Sequence, residues 1–234
     1  MDWPSKCAAV IPCFNEEATI GSVVAATRRF LSTVLVIDDG SLDQTVERAD
    51  AAGAVTLRHG RNFGKGRALQ EGWRWACERG FTWAMTLDGD GQHSAEDIPS
   101  FLRCAEQSGA ALVIGNRMNA AAEMPWLRRV VNRWISRRIS QAAGQLLPDS
   151  QCGFRLMNLE TWSSLPIDAS RFEIESEVLL AFVAAGHAVE FVPIRVIYKN
   201  EASKIHPLRD SARWFRWWMS WRKRESSGKP PCRG

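Results

Sequence analysis

Two aspartates, Asp88 and Asp90, are separated by a single glycine and directly follow a short apolar segment, residues 81–87. This segment is β-prone and lies between glycines, which predicts a buried strand that ends at the aspartates. Two carboxylates at this spacing repel each other unless a divalent cation lies between them. Oxygen ligands, with Gln92 as a third candidate, favour Mg²⁺ or Mn²⁺ over zinc. The alternative is an ordinary Asp-Gly turn, because both residue types are common in turns.

The elements that position these aspartates follow from the pattern of apolar residues. Strands are predicted at residues 7–12, 34–37, 54–58, 81–87, 110–114 and 188–197, and helices at 15–31, 43–52, 65–79 and 95–108. Asn15 is expected to cap the first of these helices. The alternation predicts an α/β fold with a mostly parallel central sheet and helices on both faces. Three polar loops, residues 12–17, 38–45 and 88–93, should then meet at one sheet edge, where such folds bind ligands.

A glycine-rich turn, residues 61–67, precedes one predicted helix and adds Lys65 to the same region. A helix N-terminus of this kind offers backbone amides, which together with the cations of the turn could contact a diphosphate. The turn is not a Walker loop, because Gly64 and Gly66 lack the spacing to a Lys-Ser/Thr pair, and no Gly-x-Gly-x-x-Gly follows the first strand. A glycine-rich helix start with a solvated lysine is the alternative.

The composition favours one cytosolic domain with local basic patches. Of the 234 residues, 45% are hydrophobic, which is ample for a core, and the formal net charge is only +4. The arginines concentrate at residues 117–138 and 209–224, so the basic character is local. The six cysteines include no Cys-x-x-Cys pair, which favours reduced, mostly buried thiols. We expect neither a signal peptide nor a membrane-spanning segment, since the apolar runs are too short.

Residues 126–139 predict a basic and aromatic helix. Arg129, Arg133 and Arg137 recur every four residues, which places three like charges on one face and destabilises the helix unless anions lie opposite. Phosphates of a lipid acceptor or of lipid headgroups would be such anions. The alternative is a solvated basic face whose apolar residues pack on the domain. Nucleic acid is not expected as a partner, because no recognisable nucleic-acid-binding fold accompanies these arginines.

The last predicted helix, residues 205–224, separates aromatic from cationic side chains on a helical wheel. The aromatic residues are Trp214, Phe215, Trp217, Trp218 and Trp221, and the cations are Arg209, Arg213, Arg216 and Lys223. Indole rings favour the bilayer interface and arginines favour anionic headgroups, so residues 209–224 predict an amphipathic helix on an anionic membrane surface. A helix that docks on the core is the alternative. Residues 225–234 are predicted to be a disordered tail.

Four loop motifs, taken in order, carry a family resemblance. They are Pro12-Cys13-Phe14-Asn15-Glu16-Glu17, Asp38-Asp39-Gly40-Ser41-x-Asp43-x-Thr45, Asn62-x-Gly64-x-Gly66-x-Ala68 and Asp88-Gly89-Asp90-Gly91-Gln92-His93. In order and spacing they resemble glycosyltransferase family 2, and the likeness continues through residues 115–117, 149–155 and 203–204. Within the family the chain is most similar to the dolichol-phosphate mannosyltransferase and bacterial polyprenyl-phosphate glycosyltransferase branch. The resemblance implies a GT-A type nucleotide-sugar-binding fold over residues 1–208, with a donor half at 1–117 and an acceptor half at 118–208.

The resemblance also implies roles for individual residues. The nucleotide-sugar donor would be bound by Pro12, Phe14, Asn15, Glu16, Asp38, Asp39, Asn62, Gly64, Lys65, Asp88 and Gly89. Asp88, Asp90 and Gln92 match positions that bind Mg²⁺ or Mn²⁺ on the sugar diphosphate. The acceptor would be bound by Arg117, Arg129, Arg133, Ser203 and Lys204. The segment 201–204 departs from the family, because it has one residue more than the Glu-Ser-Lys of the eukaryotic enzymes.

The acceptor decides the remaining chemistry. A phosphate monoester is already anionic and needs no base, whereas a hydroxyl needs a positioned carboxylate, for which Asp149 and Glu175 are candidates. The arginines of the acceptor half favour a phosphate as the acceptor. Asp90 and Arg117 are then the predicted catalytic residues. The sequence thus predicts a peripheral enzyme on the cytoplasmic face of the membrane that transfers a sugar, with inversion, from a GDP- or UDP-linked donor to a polyprenyl phosphate. The alternatives are a transferase acting on a hydroxyl of a glycolipid or polysaccharide, and a non-catalytic nucleotide-sugar-binding module at the membrane surface.

Overall fold

A seven-stranded sheet forms the centre of the computed structural model. The structure describes residues 2–118, 124–197 and 207–226. In the last helix it describes the side chains of residues 213–223. The strands are β1 (Cys7–Cys13), β2 (Thr33–Asp38), β3 (Val55–Arg58), β4 (Trp83–Thr86), β5 (Leu112–Asn116), β6 (Arg155–Asn158) and β7 (Val189–Pro193). Their order is β3-β2-β1-β4-β6-β5-β7. Strand β6 runs antiparallel to both of its neighbours, and the other pairs are parallel. The predicted mostly parallel α/β sheet is confirmed.

Helices surround this sheet. They are α1 (Trp3–Lys6), α2 (Ile20–Thr27), α3 (Thr45–Ala51), α4 (Lys65–Glu78), α5 (Ile98–Ser108), α6 (Trp126–Ala143), α7 (Leu159–Ser164), α8 (Ile174–Ala184) and α9 (Pro207–Ser226), with one 3₁₀ turn at Ala95–Asp97. Helix α4 packs on β1 and β2, and α5 packs on β5 and β7. Leu69 and Trp73 of α4 are buried, because the apolar residues of this helix recur on one side.

Helix α2 begins at Ile20, so the predicted helix start at Asn15 is wrong. Asn15 has a positive φ of 54°, a backbone conformation that a right-handed helix does not contain. Thr19, and not Asn15, is the N-cap residue of the helix. Its amide donates to Ser41 Oγ at 2.8 Å, and its Oδ1 accepts from the amide of Leu42 at 2.8 Å. The second polar loop therefore holds residues 14–19 in a turn.

Strand β6 was not predicted, because its sequence lacks an apolar run. It begins at Arg155, which is 4% exposed although it is charged. The guanidinium donates to three backbone carbonyl oxygens, those of Cys152 at 2.8 Å, Glu175 at 2.7 Å and Ser150 at 3.0 Å. A buried guanidinium needs such acceptors, and no apolar or charge pattern around Arg155 indicates that the chain folds its carbonyl oxygens around this side chain.

Helix α9 docks on the domain through two tryptophans. Trp214 and Trp218 are 5% and 6% exposed, and the indole N–H of Trp214 donates to Ser176 Oγ at 2.9 Å. The prediction that both tryptophans face a membrane is therefore wrong, and the docked alternative holds for this side of the helix. Phe215 and Met219 remain 48% and 46% exposed. In the described part of the chain, no helix is long and apolar enough to span a bilayer.

Candidate active site

The three polar loops lie together at the carboxyl edge of β1, β2 and β4, as predicted. Hydrogen bonds connect one loop with the next. The hydroxyl of Thr19 donates to the carbonyl oxygen of Gly89 at 2.7 Å, and the amide of Glu16 donates to Thr45 Oγ1 at 2.8 Å. These contacts join residues 16–19 to the aspartate turn and to the second loop, so the three polar loops lie side by side.

Asp88 forms an ion pair with Lys65 at this edge. The distance from Lys65 Nζ to Asp88 Oδ1 is 2.6 Å, and Nζ also lies 2.7 Å from Glu175 Oε1. Burial alone would raise the pKa of Asp88, but the Lys65 ammonium outweighs it and holds that pKa well below its usual range. Burial likewise lowers the pKa of Lys65, but the two carboxylates raise it above its usual value. Asp88 and Lys65 are therefore both charged at neutral pH.

Asp90 and Gln92 complete the turn for which a metal ion is predicted. Asp90 Oδ1 accepts the amide of Gln92 at 3.0 Å, and both residues are half-buried. His93 is buried against the ring of Phe154, and its Nδ1 accepts the amide of Asp88 at 3.3 Å. Burial lowers the pKa of His93 despite the nearby aspartates, so the ring is neutral and fixes the turn.

The side-chain oxygen atoms of this turn are of the type that binds divalent cations. Asp88, Asp90 and Gln92 offer carboxylate and amide oxygens, which Mg²⁺ and Mn²⁺ favour. Among the described residues, no three His, Cys, Asp or Glu side chains form a complete cluster of metal ligands. Mg²⁺ in nucleotide sites keeps waters and diphosphate oxygens in its coordination shell, so a partial protein ligand set is sufficient.

Asp38 and Asp39 lie at the same edge but are buried, with side chains 0% and 5% exposed. Asp38 accepts from the amide of Ser41 at 3.2 Å. Asp39 accepts from the amides of Phe63 at 2.8 Å and Gly64 at 2.7 Å. Both carboxylates thus hold backbone loops in place, and direct contact with the nucleotide stays a prediction.

His59 bridges Asp39 to a second carboxylate. Its Nδ1 lies 2.7 Å from Asp39 Oδ1, and its Nε2 lies 2.7 Å from Glu71 Oε2. Burial lowers the pKa of His59, but the two hydrogen-bonded carboxylates outweigh burial and raise it. Because carboxylates only accept hydrogen bonds, this geometry suits the doubly protonated imidazolium.

The glycine-rich turn uses its amides within the protein. Those of Phe63 and Gly64 donate to Asp39, and that of Arg67 donates to the carbonyl oxygen of Ser170 at 3.0 Å. A Cβ on Gly66 would lie 2.5 Å from a carbonyl oxygen of the same segment, that of Ala169. These three amides are therefore not open to a diphosphate, contrary to expectation, whereas the side chain of Lys65 lies at the site.

The remaining donor-side candidates lie around the edge with different exposure. Phe14 is 37% exposed and Asn62 is exposed, whereas Pro12, Asn15 and Glu16 are half-buried. The exposed ring of Phe14 lies at the start of the turn that the second loop supports. Their contacts with a nucleotide base or ribose stay predictions.

Arg117 and Asp149 form a buried bidentate ion pair. Nε and Nη2 of Arg117 each donate to a different carboxylate oxygen of Asp149 at 2.8 Å, and the Arg117 amide donates at 3.1 Å. Arg117 is 7% exposed and Asp149 is fully buried. Burial alone would raise the pKa of Asp149, but the guanidinium and two backbone amides outweigh it and lower that pKa. Asp149 is therefore the partner of Arg117 and stays ionised.

Helix α6 carries the predicted acceptor arginines and is anchored beside this pair. Ser136 Oγ accepts the amide of Ser150 at 3.0 Å, and the two hydroxyls lie 3.1 Å apart. Arg129 is half-buried and Arg133 is exposed on the same helix. Ser203 and Lys204, the other two predicted acceptor residues, lie outside the described residues.

Sequence reasoning missed the contact set that surrounds Lys65. The pattern around Glu175 indicates only a base or a helix-start residue, and Gly153 has no role that the sequence assigns. A Cβ on Gly153 would lie 2.9 Å from Lys65 Nζ and 2.9 Å from Asp88 Oδ2, so a larger residue here would displace the ion pair from its present position. The position within the family motif at residues 149–155 is the one signal that could have found it.

The fold is shared with solved structures. Glucosyl-3-phosphoglycerate synthase from Mycobacterium tuberculosis, in complex with Mn²⁺, UDP-glucose and phosphoglyceric acid, superposes with a TM-score of 0.70 over 92% of this chain and 79% of that chain, at 22% identity. At this identity the likeness concerns the fold, which is GT-A.

The sequence comparisons add the family. The model of glycosyl transferase family 2 matches residues 8–162. Glycosyltransferase AglJ of Haloferax volcanii is 32% identical over 90% of this chain and 70% of its own length. Undecaprenyl-phosphate mannosyltransferase of Micrococcus luteus is 31% identical over 82% of this chain and 83% of its own length. The chain belongs to glycosyltransferase family 2 and is a glycosyltransferase.

Proposed function

We propose that this glycosyltransferase moves a sugar, with inversion, from a GDP- or UDP-linked donor to a polyprenyl phosphate, and that it requires Mg²⁺ or Mn²⁺. The observation that supports a phosphate acceptor is the bidentate ion pair between Arg117 and buried Asp149. A hydroxyl acceptor needs a base that can take its proton, and a carboxylate with a lowered pKa and occupied oxygens is a poor one. A phosphate monoester is already anionic and needs cations.

The second candidate base is engaged in the same way. Glu175 is 6% exposed and lies 2.7 Å from the ammonium of Lys65. Its ion pair would have to break before the carboxylate could take a proton from an acceptor. Both candidate bases therefore serve cations, which supports an acceptor that brings its own negative charge. The name of the Micrococcus luteus relative, an undecaprenyl-phosphate mannosyltransferase, supports the same acceptor class.

On the donor side, Asp88, Asp90 and Gln92 would hold the metal ion. A divalent cation there supplies charge that stabilises the leaving diphosphate. The ammonium of Lys65 lies beside Asp88, within the same edge of the sheet, and can add a second positive charge for that leaving group. In the similarly folded mycobacterial enzyme, Mn²⁺ accompanies UDP-glucose.

The acceptor lipid implies work at a membrane, and α6 and α9 offer a surface for it. On α6, Trp126, Val130 and Trp134 are 69%, 54% and 42% exposed. Phe215 and Met219 of α9 are also exposed and line a groove with Trp134, in which Arg138 and Arg222 take part. Exposed aromatic residues interleaved with cations suit an anionic bilayer interface. We propose that this surface rests on the cytoplasmic face of the membrane.

A transfer assay tests the proposed chemistry. Purified enzyme would be given Mn²⁺, labelled GDP- or UDP-sugars, and either a polyprenyl phosphate or a hydroxyl-bearing glycolipid. We expect product with the phosphate, loss of activity in D88N and D90N, and near wild-type activity in the control D50N, whose side chain is on the surface. Turnover of the glycolipid alone would select the hydroxyl-acceptor alternative, and full activity in chelator would refute the metal requirement.

Vesicle binding tests the proposed surface. The double variant F215S/M219S should bind phosphatidylglycerol vesicles more weakly than the wild type, because two exposed apolar side chains leave the interface. L42S is a matched control, since Leu42 is 93% exposed but lies on the nucleotide side of the molecule. Equal vesicle binding by all three proteins would reject this surface as the membrane contact.

A further inference from the structure

Lys65 is enclosed between two carboxylates at the site where the metal is expected. Its Nζ lies 2.6 Å from Asp88 and 2.7 Å from Glu175, and its side chain is 16% exposed. Gly153 covers the pair so closely that a Cβ would lie 2.9 Å from Nζ. The ammonium is therefore held at the site by two opposite charges, beside a glycine that leaves room for the pair.

This arrangement works against the binding of a free metal ion. The ammonium occupies Oδ1 of Asp88, and a divalent cation at that carboxylate would lie next to a like charge. At Asp90, Oδ1 already accepts a backbone amide. A lysine ammonium is a mobile point charge on a flexible stem, so it can exchange a carboxylate partner for a phosphate oxygen.

We propose that Lys65 is an internal cation that occupies Asp88 until a diphosphate arrives, so that the metal and the nucleotide bind with strong positive coupling. The diphosphate gives the ammonium a new anionic partner, and Asp88 then becomes available to the metal. Glu175 is a positioning residue that keeps Lys65 within reach of both partners. This inference rests on the proposed metal and nucleotide-sugar chemistry, and it predicts the order in which the site is filled.

Binding of Mn²⁺, measured by the loss of its free electron paramagnetic resonance signal, tests the coupling without any turnover. For the wild type we expect weak Mn²⁺ binding that GDP or UDP strengthens at least about tenfold, which corresponds to a coupling of about 1.4 kcal/mol. K65M should bind Mn²⁺ alone at least about tenfold more tightly than the wild type and should lose most of the coupling. Equal Mn²⁺ affinity of wild type and K65M would overturn the proposal.

A double variant separates the local ion pair from the net charge of the site. K65M/E175Q has the same formal charge as the wild type, because one ammonium and one carboxylate are removed together. If Lys65 acts by occupying Asp88, the double variant also binds Mn²⁺ more tightly than the wild type. If it binds Mn²⁺ as the wild type does, only net charge matters and the proposal is wrong.

E175Q alone provides a third measurement that does not depend on the folding of K65M. Without Glu175, the ammonium keeps Asp88 as its only carboxylate partner in this set, so we expect weaker Mn²⁺ binding and a larger strengthening by the diphosphate. Unchanged Mn²⁺ binding would contradict the positioning role. A wild type that binds neither GDP nor UDP with Mn²⁺ would instead refute the proposed donor chemistry. Activity with a hydroxyl acceptor would affect only the acceptor assignment.

Discussion

Replacing Asp149 by Asn breaks the buried ion pair while keeping the shape of the side chain. Arg117, 7% exposed, would then keep its charge with a neutral partner in place of the carboxylate. Removing one partner of a buried pair costs about 3–5 kcal/mol, because the other charge stays buried without compensation. Asparagine still accepts hydrogen bonds, so we expect D149N to lose about 3 kcal/mol of unfolding free energy.

Urea unfolding measures this loss, and a surface ion pair supplies the control. The side chains of Arg29 and Glu96 lie 2.6 Å apart but are 63% and 46% exposed, so E96Q should cost less than about 1 kcal/mol. The difference between wild type and D149N should also depend on pH. A carboxyl whose pKa is lowered by folding stabilises the protein above its unfolded pKa of about 3.9, and this contribution is lost as the pH falls through the folded-state pKa.

The outcome separates an ion-pair role from a catalytic base. If D149N were as stable as E96Q but lost kcat with an unchanged KM, Asp149 would act as a base and the argument for a phosphate acceptor would fail. If D149N loses stability and its remaining activity still requires a polyprenyl phosphate, the carboxylate serves to hold Arg117.

Three further changes probe the fold around the site. In a urea titration, W214A should lower the free energy of unfolding by about 3–5 kcal/mol, because it leaves a cavity where the indole was buried. W126A is the control and should cost less than about 1 kcal/mol, because the side chain of Trp126 is 69% exposed. G66A should lower stability by about 1–3 kcal/mol, since its Cβ meets a backbone oxygen, while G60A, with open space around the Cβ, should leave the melting temperature unchanged or slightly raised. H59Q should destabilise the protein most below a pH of about 6.5, because a histidine whose pKa is raised by folding stabilises the fold there. This contribution disappears as the pH rises through the folded-state pKa of His59. A difference in unfolding free energy that does not depend on pH would contradict the ion-pair geometry.

The parts of the structure that the sequence predicted are those encoded by local patterns. The run at β4 (Trp83–Thr86) is apolar and is followed by Asp-Gly, so both the strand and the position of the aspartate turn follow from the residue pattern alone. The same holds for β1 and β2, whose ends bring the three polar loops to one edge. Strand β6 escaped prediction because its short length and its buried Arg155 give no apolar periodicity.

The ion pairs escaped prediction because their partners are far apart in sequence. Lys65, Asp88 and Glu175 belong to three separate segments, and only the packing of the domain brings their charges together. Helix α9 shows the same limit in another form. A helical wheel places Trp214 and Phe215 on one side, but the neighbouring helices bury the first and leave the second exposed. A wheel describes one helix and has no information on what packs against it.

Two of the charged groups at the candidate site, Asp88 and Arg117, already have partners of opposite charge. A buried carboxylate without a cation costs several kcal/mol, so a stable fold with aspartates at its sheet edge must supply the opposite charges itself. Lys65 does this for Asp88, and Asp149 does it for Arg117. A diphosphate or a phosphate acceptor then exchanges one anionic partner for another, which needs less reorganisation than charging an empty apolar pocket. A neutral hydroxyl offers no such exchange, and this difference is the physical reason why we propose phosphate-bearing substrates on both sides of the transferred sugar.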